Sequence, residues 1–256
     1  MSVERKQFRT LMGFSSEGKT KKHLKFTDEI PIDWERLEAC TARVKDIFAR
    51  INPIVHPEVQ INIDEFNSKI DNVFNEMRKN ELFQKLTNNG RNPVDVYYNW
   101  LRGYAVCEFF IKSIANIFQV PTDNIKRIGK DDFTNIKVFK RTSDADLEIM
   151  INEALTFKLE VQSGFTGVND IKKTKIDRAK NVKKNENMDS YLIHFDIFNG
   201  QVALYLTSNM NVNEGAWKLK FENSKTIPIP NDAFKWNLED KPLKYTKLVY
   251  KEETAD

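Results

Sequence analysis

Residues 146–164 read DLEIMINEALTFKLEVQSG. Leu147, Ile149 and Ile151 alternate with polar residues, and so do Phe157, Leu159 and Val161. A period of two is the pattern of a strand with one buried face. The stretch Asn152-Glu153-Ala154-Leu155 between the two runs predicts a hairpin. The opposite face carries Asp146 and Glu148 on the first strand, and Lys158, Glu160 and Gln162 on the second. If the paired strands share that polar face, Asp146, Glu160 and Gln162 converge.

The flanks set this hairpin in a mixed fold. Upstream, Asn92 is a helix cap, Pro93 suits the first helical position and Asp95 sits in the first turn. A wide apolar stripe follows from Tyr97 through Trp100, Leu101, Tyr104, Cys107, Ile111, Ile114 and Ala115 to Phe118, and Pro121 closes it. This predicts one long core helix. Asp33 is the expected cap of an earlier helix from Trp34, ended by Pro53 and Pro57. Another is expected over about 64–79, on Phe66, Ile70, Val73, Phe74 and Met77, with Leu82, Phe83 and Leu86 extending it until Asn88-Asn89-Gly90. Residues 136–139 read as a further strand. Downstream, 169–185 reads as a helix with a weak apolar face. SYLIHFDIF and QVALYLT flank Asn199-Gly200, the strongest short hairpin signal. The expected class is α/β, with a mixed central β-sheet flanked by helices and an N-terminal helical region. The expected segments are a basic arm at 1–26, a helical region at 27–90, a core at 91–220 and a C-terminal extension of extended segments and loops at 221–256.

Composition narrows the function. The 256 residues include 18 Phe, ample for a core, so disorder over most of the chain is not expected. No apolar run approaches the roughly 18 residues of a membrane span, and the opening MSVERKQFRT has no apolar signal segment. Cys40 and Cys107 make no disulfide framework, which fits a reducing cytoplasm. Three His and two Cys exclude a zinc site built on them. The net charge is only +3, yet residues 1–26 carry seven Lys or Arg against two Glu, and residues 169–185 seven against two Asp. Such concentration suggests a polyanionic partner, against the plainer reading of solvated helix faces.

Residues 13–20, GFSSEGKT, match the phosphate-loop pattern through Gly13, Gly18, Lys19 and Thr20. That loop needs a buried strand before it and a helix after it. VERKQFRTLM and KKHLKFTDEIP supply neither, so no nucleotide cofactor is expected. His194, inside an apolar strand, reads as a core histidine.

Carboxylates crowded on one face repel unless a cation neutralises them, and hard oxygen ligands suit Mg²⁺. Here the chain resembles the PD-(D/E)xK nuclease superfamily, which includes the type II restriction endonucleases. The matching features are Glu108 embedded in a helix, Asp146 opening a strand in SDADLEIMIN, and Glu160 and Gln162 in LEVQSG. The resemblance covers roughly 92–207. Ala145 stands where Pro is often seen, and Gln162 where Lys is usual. The resemblance implies a restriction endonuclease-like catalytic core at 91–220 that hydrolyses phosphodiester bonds of double-stranded DNA. Asp146, Glu160 and the Val161 carbonyl would hold Mg²⁺. Gln162 would orient water without supplying charge, and either Lys158 or a second metal would compensate, with Glu108 and Glu148 as accessory groups. Lys19, Lys21 and Lys22 in the arm, and Lys172, Lys173, Lys175 and Arg178, would contact phosphates. Asn209, Asn211 and Asn213, with Thr166 and Asn169, are candidates for base edges. Cutting both strands of a symmetric site favours a homodimer, with region 27–90 contributing dimer contacts, DNA contacts, or both. The alternatives are a non-catalytic DNA-binding protein on the same scaffold and, further off, a nucleotide-dependent protein.

Overall fold

The computed structural model describes residues 3–25, 31–86, 91–128, 145–220 and 224–245. The strand expected at 136–139 lies outside the described residues. The chain is mixed α/β and divides into two units, Met1–Ile47 with Asn67–Arg102, and Phe48–Phe66 with Gly103–Asp256. No helix among the described residues is long and apolar enough to cross a membrane.

The first unit is helical. It holds α1 (Val3–Leu11), α2 (Glu17–Leu24) and parts of α3 (Trp34–Ile51), α4 (Ile63–Lys79) and α5 (Pro93–Phe109). The expected caps are present. Asp33 accepts from the Arg36 N–H at 2.9 Å, and Asn92 from the Val94 N–H at 2.9 Å. Phe74, Phe83 and Tyr97 pack edge-on or tilted around each other, and Trp34 meets Phe83 edge-on. The Tyr97 hydroxyl is satisfied by Thr41 at 2.8 Å, and burial pushes its phenol well above the usual range. The region 1–26 differs from the extended arm suggested by its charge. Residues 3–25 hold two helices, because their Lys, Arg, Glu and Gln are good helix formers and Ser16 caps α2 by accepting from the Lys19 N–H. The phosphate-loop string therefore follows a helix, not a strand, with Gly13 turning the chain at φ +80°.

The second unit is built on a six-stranded sheet. Its strands are β1 (Ile125–Arg127), β2 (Leu147–Met150), β3 (Thr156–Gly164), β5 (Ser190–Asp196), β6 (Gln201–Leu206) and β9 (Phe234–Asn237), in the order β1-β2-β3-β5-β6-β9. Neighbours are antiparallel except β3 and β5, which run parallel and are joined through β4 (Asp170–Lys172) and α7 (Lys173–Glu186). Both expected hairpins form, β2–β3 and β5–β6. One sheet face packs on aromatic residues. Phe110 stacks on Phe195 at 3.9 Å, and Phe118 lies against Phe157 and Tyr191. The other face carries a smaller core in which Leu192 and Ala203 meet Ile171, Ile176, Ile229 and Ala233.

Three further differences from the expected elements follow from packing and strand pairing. The single long helix is two, α5 and α6 (Ile111–Phe118), and the break coincides with Phe109 and Phe110, both buried and edge-on to each other. Residues 170–172 leave the basic stretch to pair as β4 with β8 (Ser224–Pro228), which also pairs with β7 (Lys218–Lys220). Within residues 224–245, β8 is the middle strand of the second sheet and β9 lengthens the first.

Where β3 ends, a polar knot replaces apolar packing. His194 Nε2 and Asn169 Oδ1 are 2.7 Å apart, and the Asn169 amide donates to Asp196 at 2.6 Å. Asp196 also accepts from the Phe198 and Asn199 backbone N–H groups and the Asn199 amide. Burial opposes its charge, but these donors hold its carboxyl below the usual range. A Cβ on Gly164 would come within 2.6 Å of Asn169 Oδ1, so only glycine fits there. Burial moves the His194 imidazole from its ordinary 6.5 down to about 4, although Asp196 pulls the other way. The unfolded chain binds that proton near 6.5 and the folded chain only near 4. Its contribution is thus complete above the first value and lost as pH falls towards the second. Urea denaturation should show roughly 3 kcal/mol of stability lost through this window. A flat profile between these pH values would contradict a neutral, buried His194.

Candidate functional site

The polar face of the β2–β3 hairpin is where the expected site residues meet. Leu147 pairs with Leu159 and Glu148 with Lys158, so Asp146 and Glu160 stand at the next step of the register. At that step β2 has ended, and the Asp146 carboxylate takes over the ladder by accepting the Val161 N–H at 2.8 Å. An extended residue projects its N–H and C=O towards the same edge, so the Val161 carbonyl faces the Asp146 side. Glu160 lies on the face covered by α7. Its side chain is 15% exposed, with Lys175 Nζ 2.6 Å from one oxygen and Arg178 3.2 Å from the other. Burying a carboxylate is costly unless it is paired, and these two cations offset the loss of water.

Lys158, Glu160, Lys175, Arg178, Glu186 and Ser190 line a cleft of about 120 Å³ between β3, β5 and α7. Lys158 is paired there with Glu186 at 2.6 Å. The Ser190 hydroxyl, on a residue 6% exposed, has no hydrogen-bond partner among the described residues. An unsatisfied buried hydroxyl is expensive, and a cleft that retains one suits a polar guest.

Glu108 is ion-paired with Arg127, whose guanidinium lies 4.9 Å over the Tyr104 ring. Cys107 is buried, and its thiol is pushed far up by burial and further by the carboxylates of Asp146, Glu108 and Glu160. Glu148 stands in register between Lys126 and Lys158, a cross-strand arrangement that stabilises the sheet.

Other expected residues are placed differently. Gln162 gives its amide to the Asp170 carbonyl, tying β3 to β4, and its own carbonyl oxygen is buried without a partner among the described residues. It is thus engaged away from Asp146 and Glu160. Asn169 is taken up by His194 and Asp196 and is not available to a base edge, whereas Thr166, Asn209, Asn211 and Asn213 are exposed. Lys172 is exposed, and Lys173 pairs with Asp177 and Glu214. Lys19, Lys21 and Lys22 lie on α2 in the helical unit.

Lys175 and Arg178, expected as phosphate contacts, both pair with Glu160 in the protein alone. The trace of this in the chain is the weak apolar face of α7. Residues 175, 178, 179, 182 and 186 share one face at helical spacing, and two of those inward positions are cations.

The donor set of Asp146, Glu160 and the Val161 carbonyl consists of hard oxygens. Mg²⁺ binds through one or two carboxylates and keeps several waters, so such a set is sufficient for it. Among the described residues no three His, Cys, Asp or Glu side chains are gathered into a ready-made metal cage. The chain matches no protein-family model, no curated protein and no solved structure.

Proposed function

We propose that this protein is a Mg²⁺-dependent endonuclease of the PD-(D/E)xK type, hydrolysing phosphodiester bonds of double-stranded DNA as a type II restriction enzyme. The observation that carries the reading is the meeting of Asp146, Glu160 and the Val161 carbonyl edge on one hairpin, beside a cleft lined by Lys158, Lys175 and Arg178. The element order lends further support. A helix bearing Glu108 leads to an antiparallel β1–β2–β3 meander, and α7 then returns the chain to β5 parallel to β3.

Asp146, Glu160 and the Val161 carbonyl would hold Mg²⁺, which supplies an activated water and neutralises charge on the phosphoryl group. The residues of this chain do the rest. Arg178 presents a planar fork that orients the Glu160 carboxylate. The surplus of basic residues on α7 attracts the phosphate backbone. A twofold dimer would cut both strands of a symmetric site.

A second reading, a DNA-binding protein without catalysis, is favoured by one observation. Gln162, at the position of the usual lysine, is neutral and engaged with the Asp170 carbonyl. Incubation with plasmid and phage DNA, in Mg²⁺ and in EDTA, separates the two. Discrete fragments that vanish in EDTA support the restriction enzyme. Retarded but intact DNA in Mg²⁺ and in Mn²⁺ supports the second reading.

A further inference from the structure

We propose that Lys175 carries the positive charge of this site, in the role that Gln162 leaves neutral. The inference rests on the nuclease reading and names the group that serves the phosphate being cut.

An amide cannot supply a charge to a phosphoryl transition state, and the Gln162 amide is held by the Asp170 carbonyl. Lys158 is the other cation on the polar face of β3, but its ammonium is paired with Glu186 at 2.6 Å. Lys175 is different. Its Nζ is 2.6 Å from Glu160 Oε1, and its side chain is only 20% exposed, so it reaches the metal-ligand carboxylate from inside the cleft. Lysine is a compact charge on a flexible stem, whereas the Arg178 fork is fixed.

The charge balance then assigns two positions to one ammonium. In the protein alone, Glu160 needs a cation, and Lys175 supplies it. A divalent cation taken up by Glu160 repels the ammonium by like charge. The nearest new anion is the substrate phosphate, and the flexible stem lets Lys175 turn to it. The unpartnered Ser190 hydroxyl, in the same cleft, is a second donor for that guest.

The test is Lys175→Met, which keeps the apolar stem and removes the charge. Two readouts should move in opposite directions. Calorimetric titration with Mn²⁺, without DNA, should show binding tightened several-fold, because the competing cation is gone. Single-turnover cleavage in saturating Mg²⁺ should fall by about 100-fold, the cost of removing one group that stabilises developing charge. Adding Gln162→Lys to Lys175→Met should recover most of the lost rate. Lys235→Ala removes the same charge from an exposed position of β9, away from the cleft, and should leave both readouts unchanged. Wild-type cleavage by Lys175→Met, with Asp146→Asn inactive, would overturn the role of Lys175 and leave the nuclease reading standing. Weaker Mn²⁺ binding together with a lowered melting temperature would reduce Lys175 to a structural ion pair and overturn the proposal. A wild-type protein inert on DNA in Mg²⁺ and Mn²⁺ would remove the nuclease reading and this inference with it.

Discussion

Asp146→Asn should abolish metal-dependent DNA cleavage while leaving the fold in place. The substitution separates the two tasks of this carboxylate. Its structural task is to accept the Val161 N–H at 2.8 Å, where β2 has ended and β3 continues. An asparagine carbonyl oxygen can still accept that bond. What the variant loses is the negative charge that a hard cation requires. Single-turnover cleavage should fall by at least about a thousand-fold, the upper range for deleting one charge-stabilising group. Stability should fall by only about 1 kcal/mol, the difference between a charged and a neutral acceptor. Near wild-type cutting by this variant would remove Asp146 from the site.

Phe110→Ala should cost the most stability of any single truncation in the sheet-bearing unit. The ring is fully buried and stacks on Phe195 at 3.9 Å and 6°, with Phe109 edge-on at 4.9 Å and Phe48 beyond. It also sits at the break between α5 and α6. Neighbours anchored on two helices and a strand have little freedom to collapse into the space it leaves. The expected loss is about 3–5 kcal/mol by urea denaturation, transfer and cavity terms together. That is a large fraction of the few to fifteen or so kcal/mol that hold a domain folded. Phe110→Leu, which retains much of the volume, should cost only about 1–2 kcal/mol. A loss below about 1 kcal/mol for the alanine variant would mean that the aromatic face is not the main core of this unit.

The parts of the fold legible in the sequence are those written in local signals. Period-two alternation marks β2 and β3, Asn199-Gly200 marks β5–β6, and Asp33 and Asn92 mark the starts of α3 and α5. Asp146 and Glu160 converge because the shared face of a hairpin follows from alternation. What was hidden depends on distant contacts. The α5–α6 break cannot be read from a stripe that stays apolar on both sides of it. The strand β4 pairs with β8 more than fifty residues later, so its three residues look like the start of a basic helix. The engagement of Gln162 depends on that same β4. The pairing of Glu160 with Lys175 and Arg178 is also tertiary, and nothing in the local sequence announces it. Asn169 reads as a base-edge candidate in the sequence because nothing local announces that it bridges His194 and Asp196.

The central claim is that phosphodiester cleavage happens at Glu160. The most direct measurement is a supercoiled-plasmid cleavage time course with wild type and Glu160→Gln side by side in Mg²⁺, each with a metal-free gel-shift titration on the same DNA. Wild type should convert the plasmid to nicked and linear forms. Glu160→Gln should leave it supercoiled while binding it at least as tightly, because Lys175 and Arg178 are released from their carboxylate. Equal cleavage by the two proteins would contradict the claim.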